Sequence, residues 1–174
     1  MSSMTSRRRP RAAFDGPWKE ALDRFLPESL ALLQPGVHEA IDWSRPYESL
    51  DTELQRLTRH ARVGRRLADK LFRVWRRDGT ETWLLIHIEV QARKEREFAE
   101  RMFVYCYRIY DRYRRPVVSL AVLCDEDPAW RPDTFGYTVW GTRVDFRFLT
   151  VKLLDHWSDV PGLESNPNLF AAFI

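Results

Sequence analysis

Asp69 and Glu89 lie on two apolar runs flanking one turn dipeptide, Asp78-Gly79, so a single β-hairpin would bring their carboxylates together. Two ionised carboxylates held close repel, and the arrangement costs stability unless one takes a proton or a cation bridges them. Oxygen donors of this kind suit a hard divalent ion such as Mg2+ or Mn2+ far better than zinc. The competing reading is that both acids pair with nearby arginines on a solvated face, as exposed charges commonly do. Against it stands the apolar strand Leu84 to Ile88, which ends in Glu89 and continues as Val90.

The hairpin must position these acids. Its arms run from Leu67 to Arg77 and from Thr80 to Gln91. A three-residue loop of Asp78, Gly79 and Thr80, with glycine supplying the positive φ, pairs Arg77 with Glu81 and Asp69 with Glu89, their Cβ atoms roughly 5 Å apart. A two-residue loop would pair Asp69 with Ile88. The period-2 rule favours the first register, which gathers Phe72, Val74, Leu84, Ile86 and Ile88 on one face and Asp69, Leu71, Arg73, His87, Glu89 and Gln91 on the other. The first face is expected to be core and the second to carry the site.

The runs Ala68-Asp69-Lys70-Leu71-Phe72-Arg73-Val74 and Ile86-His87-Ile88-Glu89-Val90-Gln91, followed by Glu100-Arg101-Met102 and Tyr105 to Tyr113, resemble the recombination-promoting nuclease and putative transposase (Rpn-like) family of the PD-(D/E)XK nuclease superfamily. The resemblance covers about residues 15 to 155. It implies an α/β fold with a restriction-endonuclease-like core, a central mixed β-sheet flanked by α-helices. It also implies an Mg2+ (or Mn2+)-dependent DNA endonuclease that hydrolyses phosphodiester bonds, linked to recombination or mobile elements. Carried over by position, Asp69 matches the metal-binding aspartate, Glu89 the acid of the second motif, and Gln91 the place of the superfamily's lysine. Glutamine can orient a water through its amide but brings no positive charge. The backbone carbonyl of Val90 is a further expected ligand. Glu53 is the preferred additional acid from the preceding helix, while Glu48 and Asp51 read equally well as first-turn residues favoured by the helix dipole. A degenerate nuclease fold that binds nucleic acid or a partner without cutting is the alternative, and a purely structural module the third reading.

The 174 residues, 44% hydrophobic and 13% aromatic, suffice for one domain with a sizeable core. Net charge is only +3, yet arginine is clustered at Arg7-Arg8-Arg9, Arg65-Arg66, Arg76-Arg77 and Arg112 to Arg115. Arg65, Arg66, Arg76 and Arg77 are the expected contacts to a DNA backbone, against a reading of these clusters as a salt-bridged surface. Cys106 and Cys124 lack metal-type spacing and read as reduced core residues. The four histidines form no ligand pair, which disfavours zinc hydrolysis; His87 alone shares the face of Glu89. The apolar runs are too short to span a bilayer and no apolar signal segment follows the first arginines, so the expected location is cytoplasmic.

Residues 1–14 read as a disordered Arg-rich tail, 15–155 as the nuclease-like domain, and 156–174 as an extension of a truncated family member. Helices are expected from Asp15 to Leu33 with a break at Pro27, from Glu48 to Ala61, and from Glu95 to Tyr113. Val117 to Leu123 reads as a buried strand parallel to the Glu89 strand. Tyr137 to Trp140 and Val144 to Val151 read as an added edge hairpin. The apolar ending from Leu169 to Ile174 suggests an exposed surface that packs into a partner chain, which leaves a homodimer open.

Overall fold

A computed structural model describes residues 12–58, 68–89, 96–157 and 160–173. Apolar spacing builds its first helical layer. Helix α1 (Ala12–Arg24) buries Trp18, Ala21 and Leu22, and α2 (Leu26–Leu33) buries Leu26, Leu30 and Leu33, each set on one stripe. The break between them falls at Phe25, and Pro27 occupies the first turn of α2, where its missing N–H costs no helical bond. The helix begins at Ala12, three residues before the expected Asp15, so that Pro17 lies inside it. Gln34 ends α2 as expected, its N–H bonded to the Leu30 carbonyl at 2.8 Å, but Pro35 at once opens a further short helix, α3 (Pro35–Ala40).

Seven strands among the described residues form two sheets: β1 (Glu48–Ser49), β2 (Ala68–Trp75), β3 (Glu81–Glu89), β4 (Val117–Leu123), β5 (Thr134–Val139), β6 (Thr142–Arg147) and β7 (Leu149–Lys152). The main sheet has the order β1-β2-β3-β4-β7. Strand β2 is antiparallel to β1 and β3, whereas β4 runs parallel to β3 and β7 parallel to β4. The fold is therefore α/β with a central mixed sheet flanked by helices. Glu48 belongs to β1, opposite Arg73, and not to the following helix α4 (Asp51–Thr58); the backbone there is taken up by pairing, and the Leu50 N–H bonds the Leu71 carbonyl at 2.6 Å.

Helix α5 (Phe98–Tyr113) makes the crossover from β3 to β4 and buries Phe98, Met102, Tyr105 and Ile109, as its spacing predicts. It ends at Arg114, whose positive φ of 52° closes a bond to the Tyr110 carbonyl, and Pro116 follows.

Both faces of the sheet are packed, so the face expected to carry the site also holds core residues. Phe72, Val74, Leu84, Ile86, Leu120 and Val122 pack against α1 and α2. On the other face Leu71, Trp83 and Leu85 pack beneath Leu50, Leu54, Tyr105 and Ile109. The expected hairpin of 144–151 is also divided. Strands β5 and β6 form a separate two-stranded ribbon. Phe148 is buried with Phe98 and Met102, its N–H held by the Asp133 carbonyl at 2.9 Å, and the chain then crosses into the main sheet as β7.

The short helices α6 (Leu154–Trp157) and α7 (Val160–Glu164) lead to a 3-10 turn, Leu169–Phe173. Phe170 is fully buried, edge-on to Trp18 at 5.4 Å, and Ala171 is buried beside it, so this part of the apolar ending belongs to the chain's own core, while Leu169 stays exposed. No helix among the described residues is long and apolar enough to cross a membrane.

Candidate functional site

The hairpin turn decides how the acids are aligned. Gly79 donates to the Arg76 carbonyl and Arg76 to the Thr80 carbonyl, each at 2.9 Å, while Gly79 takes a φ of 86°. The three-residue loop is thus Arg77, Asp78 and Gly79, with Asp78 Oδ1 accepting from the Thr80 N–H. Trp75 pairs with Glu81, and Asp69 lies opposite His87, not opposite Glu89 as expected. The loop begins one residue earlier, so the register shifts by two. An even shift leaves every residue on its face. Asp69 and Glu89 remain on one face as diagonal neighbours, with Cβ atoms roughly 7 Å apart rather than 5 Å.

At Asp69, His87 and Glu89 the backbone alone is described, and Arg65, Arg66, Val90 and Gln91 lie outside the described residues. The backbone still places the two acids in the sheet. Glu89 is the last residue of β3, level with Leu123 of β4 and, one strand further, with Lys152 of β7. Three parallel strands therefore end together there, the end at which open α/β sheets commonly bind ligands. Glu53 stands on α4, which covers the Asp69 face through Leu54, with Leu50 just before the helix.

Arg76 and Arg77 do not flank these acids. They lie at the turn, seven or more residues along β2 from Asp69, a span of roughly 23 Å. Arg76 pairs with Asp78 at 3.2 Å, and Arg77 donates to the Glu39 carbonyl at 2.6 Å. Arg114 and Arg115, at the same end of the sheet, pair with Asp111 and Glu81. An apolar hollow of about 170 Å³ under α3, lined in part by Val37, Ile41, Val74 and Leu84, also lies at this turn end and holds no acid.

Two buried lysines of the sheet form ion pairs that sequence reading missed. Lys70, only 2% exposed, pairs with Asp51 of α4 and, at 2.6 Å, with Asp23 of α1, tying the helices on both faces to β2. The signal was available: Lys70 shares the parity of Phe72 and Val74, and a cation at a core-facing position needs a partner. Lys152 is fully buried against Asp125, itself 3% exposed, and donates at 3.4 Å to the Trp130 carbonyl. Asp125 Oδ1 also accepts from the Asp127 N–H at 2.9 Å, whereas its buried Oδ2 has no hydrogen-bond partner. This pair fastens the loop after β4 at the sheet end that carries Glu89.

Near these strands, burial pushes the Cys106 thiol up, with the Ser119 hydroxyl beside it pulling the other way; Cys106 and Cys124 are both reduced and only partly buried, not the fully buried core residues expected. The paired Arg131 guanidinium holds the Asp155 carboxyl below its ordinary range.

No group of three His, Cys, Asp or Glu is placed to hold a metal among the described residues. Asp69 and Glu89 are nonetheless oxygen donors of the kind a hard divalent cation takes, and the backbone puts them at diagonal positions on one face. Comparison of the chain with protein-family models, with curated proteins and with solved structures finds no match to any of them.

Proposed function

We propose that this chain is an Mg2+-dependent DNA endonuclease with a restriction-endonuclease-like core of the PD-(D/E)XK type. The observation that carries this reading is the convergence of Asp69 and Glu89 on one face of the hairpin, at the end where β3, β4 and β7 finish together. The mixed sheet, with an antiparallel hairpin followed by a helical crossover into a parallel strand, supports it.

Asp69 and Glu89 would hold the metal, with the Val90 carbonyl and Glu53 as further donors. When bound, Mg2+ or Mn2+ supplies a more acidic water and offsets charge on the phosphate oxygens. Gln91 would orient the attacking water through its amide, and His87, paired with Asp69 across the hairpin, would contact substrate or water. Of the arginines expected to track the DNA backbone, Arg65 and Arg66 immediately precede β2 and are the ones near this end in sequence. Arg76 and Arg77 could serve only a duplex long enough to reach the hairpin turn.

The test is incubation of supercoiled plasmid with the protein and Mg2+ or Mn2+, beside EDTA controls and the variants Asp69→Ala and Glu89→Gln, each checked for folding by circular dichroism. Metal-dependent nicking that both substitutions abolish supports the nuclease. Salt-sensitive DNA binding without nicking, retained in both variants, would replace it with a binding protein built on the same fold.

A further inference from the structure

The β5–β6 ribbon stands apart from the main sheet and is two-faced. Its register, with Phe135 opposite Phe146, Tyr137 opposite Val144 and Val139 opposite Thr142, puts every one of these side chains on one face. The other face carries Thr134, Thr138, Arg143, Asp145 and Arg147. Only the base of the apolar face is covered: Phe135 stacks on Phe103 of α5 at 5.1 Å, and Phe146 meets the same ring at 5.6 Å. Beyond α5 the face is bare. Tyr137 and Val139 are about half exposed, and Trp140 at the tip is wholly exposed. The patch continues onto α5 through Tyr107, stacked on Phe103 at 6.3 Å, and Tyr110 one turn further, both half exposed.

We propose that this apolar face is a self-association surface, on which a second copy of the chain packs its own ribbon about a two-fold axis. Two observations select that occupant. The first is charge. The ribbon's apolar face has no charged residue, and its cations point the opposite way, Arg143 being already paired with Asp145 at 2.8 Å. A nucleic acid stacking on the ribbon's rings would find no ribbon cation beside its phosphates, and the Arg114 guanidinium 5.7 Å over the Tyr110 ring is already paired with Asp111, whereas an identical uncharged ribbon face is complementary to it.

The second observation is area. Aromatic side chains of this size bury roughly 150–250 Å² each, so the exposed parts of Tyr107, Tyr110, Tyr137 and Trp140, with Val139, offer on the order of 600 Å² per protomer. A two-fold pair would cover on the order of 1,200 Å², which reaches the size of stable protein interfaces. A two-stranded ribbon is also marginal by itself and gains a cover for its apolar side. The inference does not depend on the nuclease reading.

Sedimentation velocity across the micromolar range tests it, with the full chain compared with the double variant Tyr137→Ser, Trp140→Asn. Asparagine suits the positive φ of 47° at Trp140, and both side chains are exposed, so the circular dichroism spectrum should stay unchanged. The wild type should dimerise and the variant should bind itself roughly tenfold or more weakly. Arg143→Ala, on the opposite face, should leave the dimer intact. A wild type that stays monomeric throughout overturns the proposal. So does a dimer indifferent to the double variant, and so does a variant that loses DNA binding while its mass is unchanged, which would make the rings a base-stacking platform.

Discussion

Replacing Lys152 by methionine should expose how much the β4–β7 end of the sheet depends on its buried ion pair. Methionine nearly preserves the volume and can pack against Trp130, so the effect isolates the charge. Breaking a buried pair by removing one partner typically costs about 3–5 kcal/mol. The upper part of that range applies here, since Asp125 is 3% exposed and keeps only the Asp127 N–H, with Oδ2 already unpartnered. Such a loss is a large share of the roughly 5–15 kcal/mol that holds a domain together. The double variant Asp125→Asn, Lys152→Met should recover most of the loss, because neither charge remains. Urea unfolding at pH 7, followed by circular dichroism, measures both. A loss below about 1 kcal/mol would show that the pair is hydrated or that Asp125 finds another cation.

Phe170→Ala should cost about 3–5 kcal/mol in urea unfolding, since the ring is fully buried against Trp18; a cost near zero would mean that the 3-10 turn does not belong to the core. Lys70→Met should cost less than Lys152→Met, about 1–3 kcal/mol, because Asp23 and Asp51 keep side-chain exposures of 45% and 35% and can hydrate. Asp155→Asn should remove a small stabilisation supplied by Arg131. The Asp155 carboxyl lies below its ordinary value of 3.8 when folded, so that contribution is present above this pH and disappears as pH falls through the folded value. Wild type and variant should accordingly converge in stability in strong acid, as measured by urea unfolding across a pH series.

Periodicity alone determined much of this protein. The three- and four-residue steps of Phe98, Met102, Tyr105 and Ile109 define α5, the continuous apolar run Val117–Leu123 defines a buried parallel strand, and alternation assigns Asp69 and Glu89 to a common face. Local patterns of this kind report which side of an element is buried, because burial follows the 3.6- and 2-residue repeats. They do not report what lies across from it. Whether the loop began at Arg77 or Asp78 rested on hydrogen bonds between Arg76, Gly79 and Thr80, and both loops keep the same faces, so the facing of Asp69 with His87 was beyond alternation to decide. The same limit hid the departure of Phe148 from the ribbon, the return of Phe170 to Trp18, and the partners of Lys70 and Lys152. Each joins residues distant in the chain, and only the packed sheet, buried on both faces, forces them together.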